Sequence, residues 1–94
     1  MIVEKNDKIV ARSIHGAYFL IDIADNYSGN RCALYELNQI GFFIWNTIRN
    51  NSIEEIATAL WNEIIDKVDY EIIYQDVAEY IQLLQQNGFV KVVG

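Results

Sequence analysis

The chain has no proline, one cysteine and one histidine, and its seven basic residues face thirteen acidic ones. Without proline, no helix or strand interior is forced to break, so elements run until a cap or turn residue stops them. A single cysteine, Cys32, excludes an internal disulfide and any thiolate metal cluster; the usual fate of such a residue is a small buried hydrophobe. His15 precedes Gly16 in what reads as a hairpin turn, so no base is placed for a nucleophilic triad. No glycine-rich phosphate loop and no paired metal ligands are present. Glu54, Glu55, Asp66, Asp69, Glu71, Asp76 and Glu79 fall on or beside expected helices and read as caps or solvated faces. The expectation is a protein with no catalytic residues, no metal and no cofactor. No apolar run approaches the ~20 residues that span a membrane, and the segment from Met1 to Asp7 has no signal-peptide character. A cytoplasmic protein without membrane contact is expected. The formal net charge of −6 repels a polyanion and suits a neutral or basic peptide.

Hydrophobic residues are plentiful, at 52% of the 94 positions, with two Trp, six Tyr and four Phe. One domain covering residues 1–94 is expected, burying roughly 60–65% of the surface its unfolded chain exposes. Lys8 to Ile14 and Ala17 to Ile23 read as strands joined by a tight His15-Gly16 turn. Asp25 to Arg31 reads as a polar loop, and Cys32 to Leu37 as a short third strand, left at an edge if nothing later pairs with it. Asn38 caps a first helix running to Ile48, with Ile40, Phe43, Ile44 and Ile48 on one stripe and Phe42 and Trp45 widening it. Leu37 and Phe42 stand at the spacing of a hydrophobic staple. Ser52 and Glu55 form a capping box for a second helix reaching about Ile64. Asp69 can cap a third, Tyr70 to about Asn87, with Ile73, Val77, Tyr80, Ile81 and Leu84 inward. Gly88 suits a left-handed end, and Phe89 to Val93 forms a last short strand or packs down.

Three strands, then three helices, is an α+β, winged helix-turn-helix-like layout, with a three-stranded antiparallel N-terminal sheet. The second and third helices have the spacing of a DNA-reading pair, so that function has to be weighed. Between Tyr70 and Gly88 there is neither Lys nor Arg to hold a phosphate, which counts against nucleic acid. An edge strand, by contrast, can accept an extended peptide as an added strand. The alternatives are a winged-helix DNA-binding regulator and a homodimerising domain whose edge strand is closed by a second copy.

The order of four features resembles the PqqD family of leader-peptide-binding domains. They are Tyr18-Phe19-Leu20-Ile21-Asp22, then Leu37-Asn38-x-x-Gly41 followed by Ile44-Trp45, then Glu54-Glu55-Ile56, and finally Asp76-Val77-x-x-Tyr80-Ile81-x-x-Leu84-x-x-x-Gly88-Phe89. The resemblance implies a non-catalytic adaptor that holds the leader of a ribosomally made precursor peptide and delivers it to a modifying enzyme. That enzyme would be a radical S-adenosylmethionine protein, a cyclodehydratase or a leader peptidase. It also implies that the leader pairs with the third strand and lies beside the third helix. Carried onto this chain, the contacts are Cys32, Ala33, Leu34, Tyr35 and Glu36 on the strand, with Asp76, Tyr80 and Leu83 on the helix. With no enzyme attached, the chain resembles the free-standing members, or an excised domain.

Overall fold

In a computed structural model, residues 1–23, 34–64 and 68–94 are described. They form β1 (Ile2–Lys5), β2 (Ile9–Ile14), β3 (Ala17–Asp22), β4 (Leu34–Leu37), α1 (Gln39–Thr47), α2 (Ile53–Glu63), α3 (Tyr70–Gln86) and β5 (Val90–Val93). The expected polar loop Asp25 to Arg31, Cys32, Ala33, and Asp66-Lys67 between the second and third helices lie outside the described residues.

The fold is α+β, with three helices and two antiparallel sheets among the described residues, ordered β2-β3-β4 and β1-β5. His15 and Gly16 take φ of 51° and 82° between the paired ends Ile14 and Ala17. Positive φ at both central residues matches the twist of a two-residue hairpin. The expected third strand is β4, and no described strand pairs with its outer edge.

One strand was not expected. Four residues at the N-terminus are too short for alternation to show, yet β1 pairs with β5 from Ile2↔Val93 to Lys5↔Val90. Val3 becomes fully buried there, and its N–H donates to the Asn51 carbonyl between α1 and α2 (2.8 Å). The last strand therefore forms, as one half of a sheet that joins both ends of the chain.

The helices start largely where their caps stand. The Asn38 side chain accepts from the Gly41 N–H at 2.7 Å. Ser52 Oγ accepts from the Glu55 N–H (3.1 Å) while Glu55 Oε1 accepts from the Ser52 N–H (3.0 Å), a complete capping box. Asp69 makes no side-chain cap bond; its carbonyl receives the Ile72 and Ile73 N–H groups instead. Gly88, at φ 76°, follows α3 as expected.

The core joins Val3 and Val90 of the β1–β5 sheet, Ile9, Leu20 and Leu37 of the other sheet, Ile44, Trp45 and Ile48 from α1 and its end, Ile56, Ala57 and Leu60 from α2, and Ile73, Val77, Ile81 and Leu84 from α3. Two inward assignments change. Ile40 is 49% exposed because the buried face of α1 runs through Gly41, Ile44, Trp45 and Ile48, one position further on. Tyr80 is half-buried, at the margin of the α3 stripe rather than within it.

Candidate functional site

Backbone parity decides which groups of β4 are free. Directly opposed residues of an antiparallel pair either exchange both hydrogen bonds or turn both away, in alternation. The two-residue hairpin makes Ile14↔Ala17 a bonded pair, and the Ile23 N–H bonds the Lys8 carbonyl (2.9 Å) in the same phase. Ala17, Phe19 and Ile21 therefore point their N–H and C=O at β2, and Tyr18 and Leu20 point theirs at β4. Their partners Leu37 and Tyr35 are thus bonded inward. Leu34 and Glu36 present N–H and C=O to the open edge.

Side chains follow the complementary rule, since opposed residues share a face. Tyr35 lies with Leu20, on the core side, and Glu36 lies with Phe19 and Arg12 on the other. Glu36 therefore offers its backbone to the edge, while its exposed carboxylate stands on the face away from the helices. The opposite edge, β2, is less open: the Arg12 guanidinium donates to the Ala11 carbonyl at 2.8 Å.

One flank of α3 is committed to α2. The Tyr70 hydroxyl donates to the Glu54 carbonyl (3.2 Å), and the Tyr74 hydroxyl to Glu54 Oε1 (3.2 Å). Trp61 Nε1 donates to the Val68 carbonyl (2.8 Å), and its ring meets Tyr70 edge-on. Asp76, Tyr80 and Leu83 are spaced by four and three residues, so they share the opposite flank of the buried stripe. Asp76 is exposed and Leu83 is 40% exposed. The Tyr80 ring reaches the first turn of α1, where its hydroxyl and Cζ lie against Gly41. Burial, and after it the neighbouring Tyr35 phenol, push the Tyr80 hydroxyl up to about 12. Among the described residues it has no hydrogen-bond partner. Tyr35 in turn packs edge-on against Phe89 (5.1 Å between centroids).

Tyr35 of β4 and Tyr80 of α3 are thus brought together, with Asp76 and Leu83 one turn to either side of Tyr80. Leu34 and Glu36 join through their backbones, and Cys32 and Ala33 lie outside the described residues. Gly41 and Phe89 stand in the signature but were not assigned to the site, and Ile72, which is 51% exposed and one turn before Asp76, was not singled out. An isoleucine on the flank of Asp76 and Tyr80, off the buried stripe, was the available signal. A polar hollow of ≈ 490 Å³ between β1, β5 and Asn50 mixes Glu4 and Asp7 with Lys5 and Lys91, and lacks a coherent ligand set. Among the described residues, no three His, Cys, Asp or Glu side chains are grouped to hold a metal ion. No described helix is long and apolar enough to cross a membrane.

Two solved structures share this fold. TbiB1 in complex with the TbiA(beta) leader peptide matches with a TM-score of 0.74 and 18% identity, over 97% of this chain and 98% of that one. A lasso peptide synthetase B1 complexed with the leader peptide matches with a TM-score of 0.72 and 19% identity, over 96% and 98%. No curated protein is matched by the sequence. The family described as coenzyme PQQ synthesis protein D (PqqD) matches residues 27–90, spanning β4, all three helices and the start of β5, and the chain belongs to that family.

Proposed function

We propose that this chain is a non-catalytic, single-domain adaptor that binds the leader of a ribosomally made precursor peptide in the cytoplasm and presents it to a modifying enzyme. The observation that carries this reading is the open row of N–H and C=O groups on Leu34 and Glu36, beside the α3 flank of Asp76, Tyr80 and Leu83. An extended peptide paired with that row becomes a fourth strand, and Cys32 and Ala33, which precede Leu34 in the sequence, are proposed as further contacts. Its residue opposite Tyr35 shares the face of Tyr35, toward α3. Backbone bonds contribute roughly 0.5–1.5 kcal/mol each. Several of them, with one or two apolar anchors on Leu83 and the tyrosines, reach ~8 kcal/mol, which is about micromolar. The leader peptides held by the two structures of the same fold support this assignment.

On this reading the α2–α3 pair is a winged helix-turn-helix scaffold turned to peptide capture. Its third helix carries acids and no cation between Tyr70 and Gly88, so it holds no phosphate backbone. The chemistry belongs to the partner, a radical S-adenosylmethionine enzyme, a cyclodehydratase or a leader peptidase. Calorimetric titration of the purified domain with the leader of the precursor reading frame beside its gene tests the proposal. Saturable binding at micromolar or lower concentration is expected, with no binding to duplex DNA at physiological salt. Salt-sensitive DNA binding without leader binding would establish the regulator instead.

A further inference from the structure

Gly41 is a glycine by space rather than by backbone conformation. It lies in the first turn of α1, without positive φ, where glycine weakens a helix relative to alanine. A Cβ built there would strike the Tyr80 hydroxyl, with the ring Cζ at 2.8 Å and Asn38 Oδ1 at 3.2 Å. The bare Cα is therefore the seat of the Tyr80 ring. The core side of α3 is filled by the fully buried Val77, Ile81 and Leu84, so the core offers no room for a displaced ring. The direction left open is the flank toward Tyr35 and β4.

We infer that Gly41 sets the depth of the cleft between β4 and α3 by seating the Tyr80 ring, and so determines how large a side chain the added strand carries opposite Tyr35. This rests on the reading of that cleft as the leader site. On that reading, a ring seated on α1 leaves the place beside Tyr35 to a bulky leader residue. A methyl group at position 41 swings the ring out and fills that space. The Leu37-Asn38-x-x-Gly41 signature then has two parts: Asn38 starts the helix, and Gly41 gauges the ligand.

Three measurements on the whole chain test the inference. Tetranitromethane nitration mapped by mass spectrometry reads ring accessibility without a ligand: Tyr80 should be spared in the parent and react at least fivefold faster in Gly41→Ala. Equal reactivity overturns the seat. Thermal melting of Gly41→Ala in the parent and in a Tyr80→Val background provides a control should the single variant fold poorly. The substitution should lower the melting temperature only where the ring is present, and equal losses in both backgrounds would also overturn it. Titration with the synthetic leader should show at least tenfold weaker binding to Gly41→Ala, recovered in part when the leader residue opposite Tyr35 is replaced by glycine. Unchanged affinity beside a displaced ring refutes the gauge. A parent domain that binds no leader refutes the adaptor reading and the gauge together, and the two ligand-free measurements still decide whether Gly41 seats Tyr80.

Discussion

Asp76 is an exposed carboxylate one turn from Tyr80, on the flank of α3 that α2 leaves free. Its removal touches no buried contact, so Asp76→Ala should leave the melting temperature within about a degree. A cationic leader side chain near it would lose an exposed ion pair of roughly 0.2–1 kcal/mol, a loss of up to about fivefold in affinity. Titration calorimetry of both proteins checks this, and unchanged affinity removes Asp76 from the site. Tyr80 yields a pH prediction of definite sign. Its hydroxyl is raised from 10 to about 12, chiefly by burial. Between those values the unfolded chain releases a proton that the folded chain keeps, so this contribution is complete below pH 10 and is lost as pH rises through 12. Tyr74, raised mainly by its hydrogen bond to Glu54, acts in the same direction. Denaturant midpoints should therefore fall from pH 10 to 12, and Tyr80→Phe should flatten part of that slope. Identical slopes would mean that the ring is solvated. Leu83 came only from the family resemblance and Tyr80 read as inward, while Asp76 and Tyr80 were legible from spacing as one turn apart along α3. That Tyr80 lies on Gly41 was not, because the contact joins residues on two helices and involves no pattern within either.

At the scale of elements, the parity of β4 separates backbone from side chain. Proline removes a donor and fixes φ. At Glu36 the donor lost is the outward one, and the lost carboxylate faces away from the cleft. Glu36→Pro should therefore remain folded by circular dichroism and bind the leader at least tenfold more weakly, while Glu36→Ala binds like the parent. If Glu36→Pro binds equally well, the peptide does not add to this edge. The capping box of α2 is a second element-scale device. Ser52→Ala leaves the Glu55 N–H without its side-chain acceptor and should cost about 1 kcal/mol, seen as a fall of about 4–8 °C in a domain of this size. A melt unchanged within a degree would show that water replaces the cap. These caps were legible because a cap is a local contract between residues three apart. β1 was not, since four residues carry too little alternation and their partner lies at the far end of the chain.

For the whole molecule, α1 contributes Ile44 and Trp45 to a core shared with both sheets and the other two helices. Trp45 is 3% exposed, and the ammonium of Lys5 on β1 lies 4.8 Å above its ring. Burial, and then the nearby Arg49 charge, lower the Lys5 pKa. Trp45→Ala opens a cavity in the core and should cost on the order of 3–5 kcal/mol. A domain of this size has about 5–15 kcal/mol in total. Melting should shift by more than 10 °C or be lost, and a shift of a degree or two would displace Trp45 from the core.

Residues 1–94 by themselves determined the α+β order, the Asn38 and Ser52 caps, the His15-Gly16 turn, the left-handed Gly88 and the apolar stripes of α2 and α3. Each depends on neighbours within a few positions, where steric and hydrogen-bonding rules act directly. Tertiary structure alone decided that β1 closes on β5, that Ile40 faces outward, that Leu34 and Glu36 rather than Tyr35 hold the free edge, and that Tyr80 rests on Gly41. Those outcomes depend on register and on close approach between distant segments, where a shift of one residue exchanges buried for exposed and bonded for free.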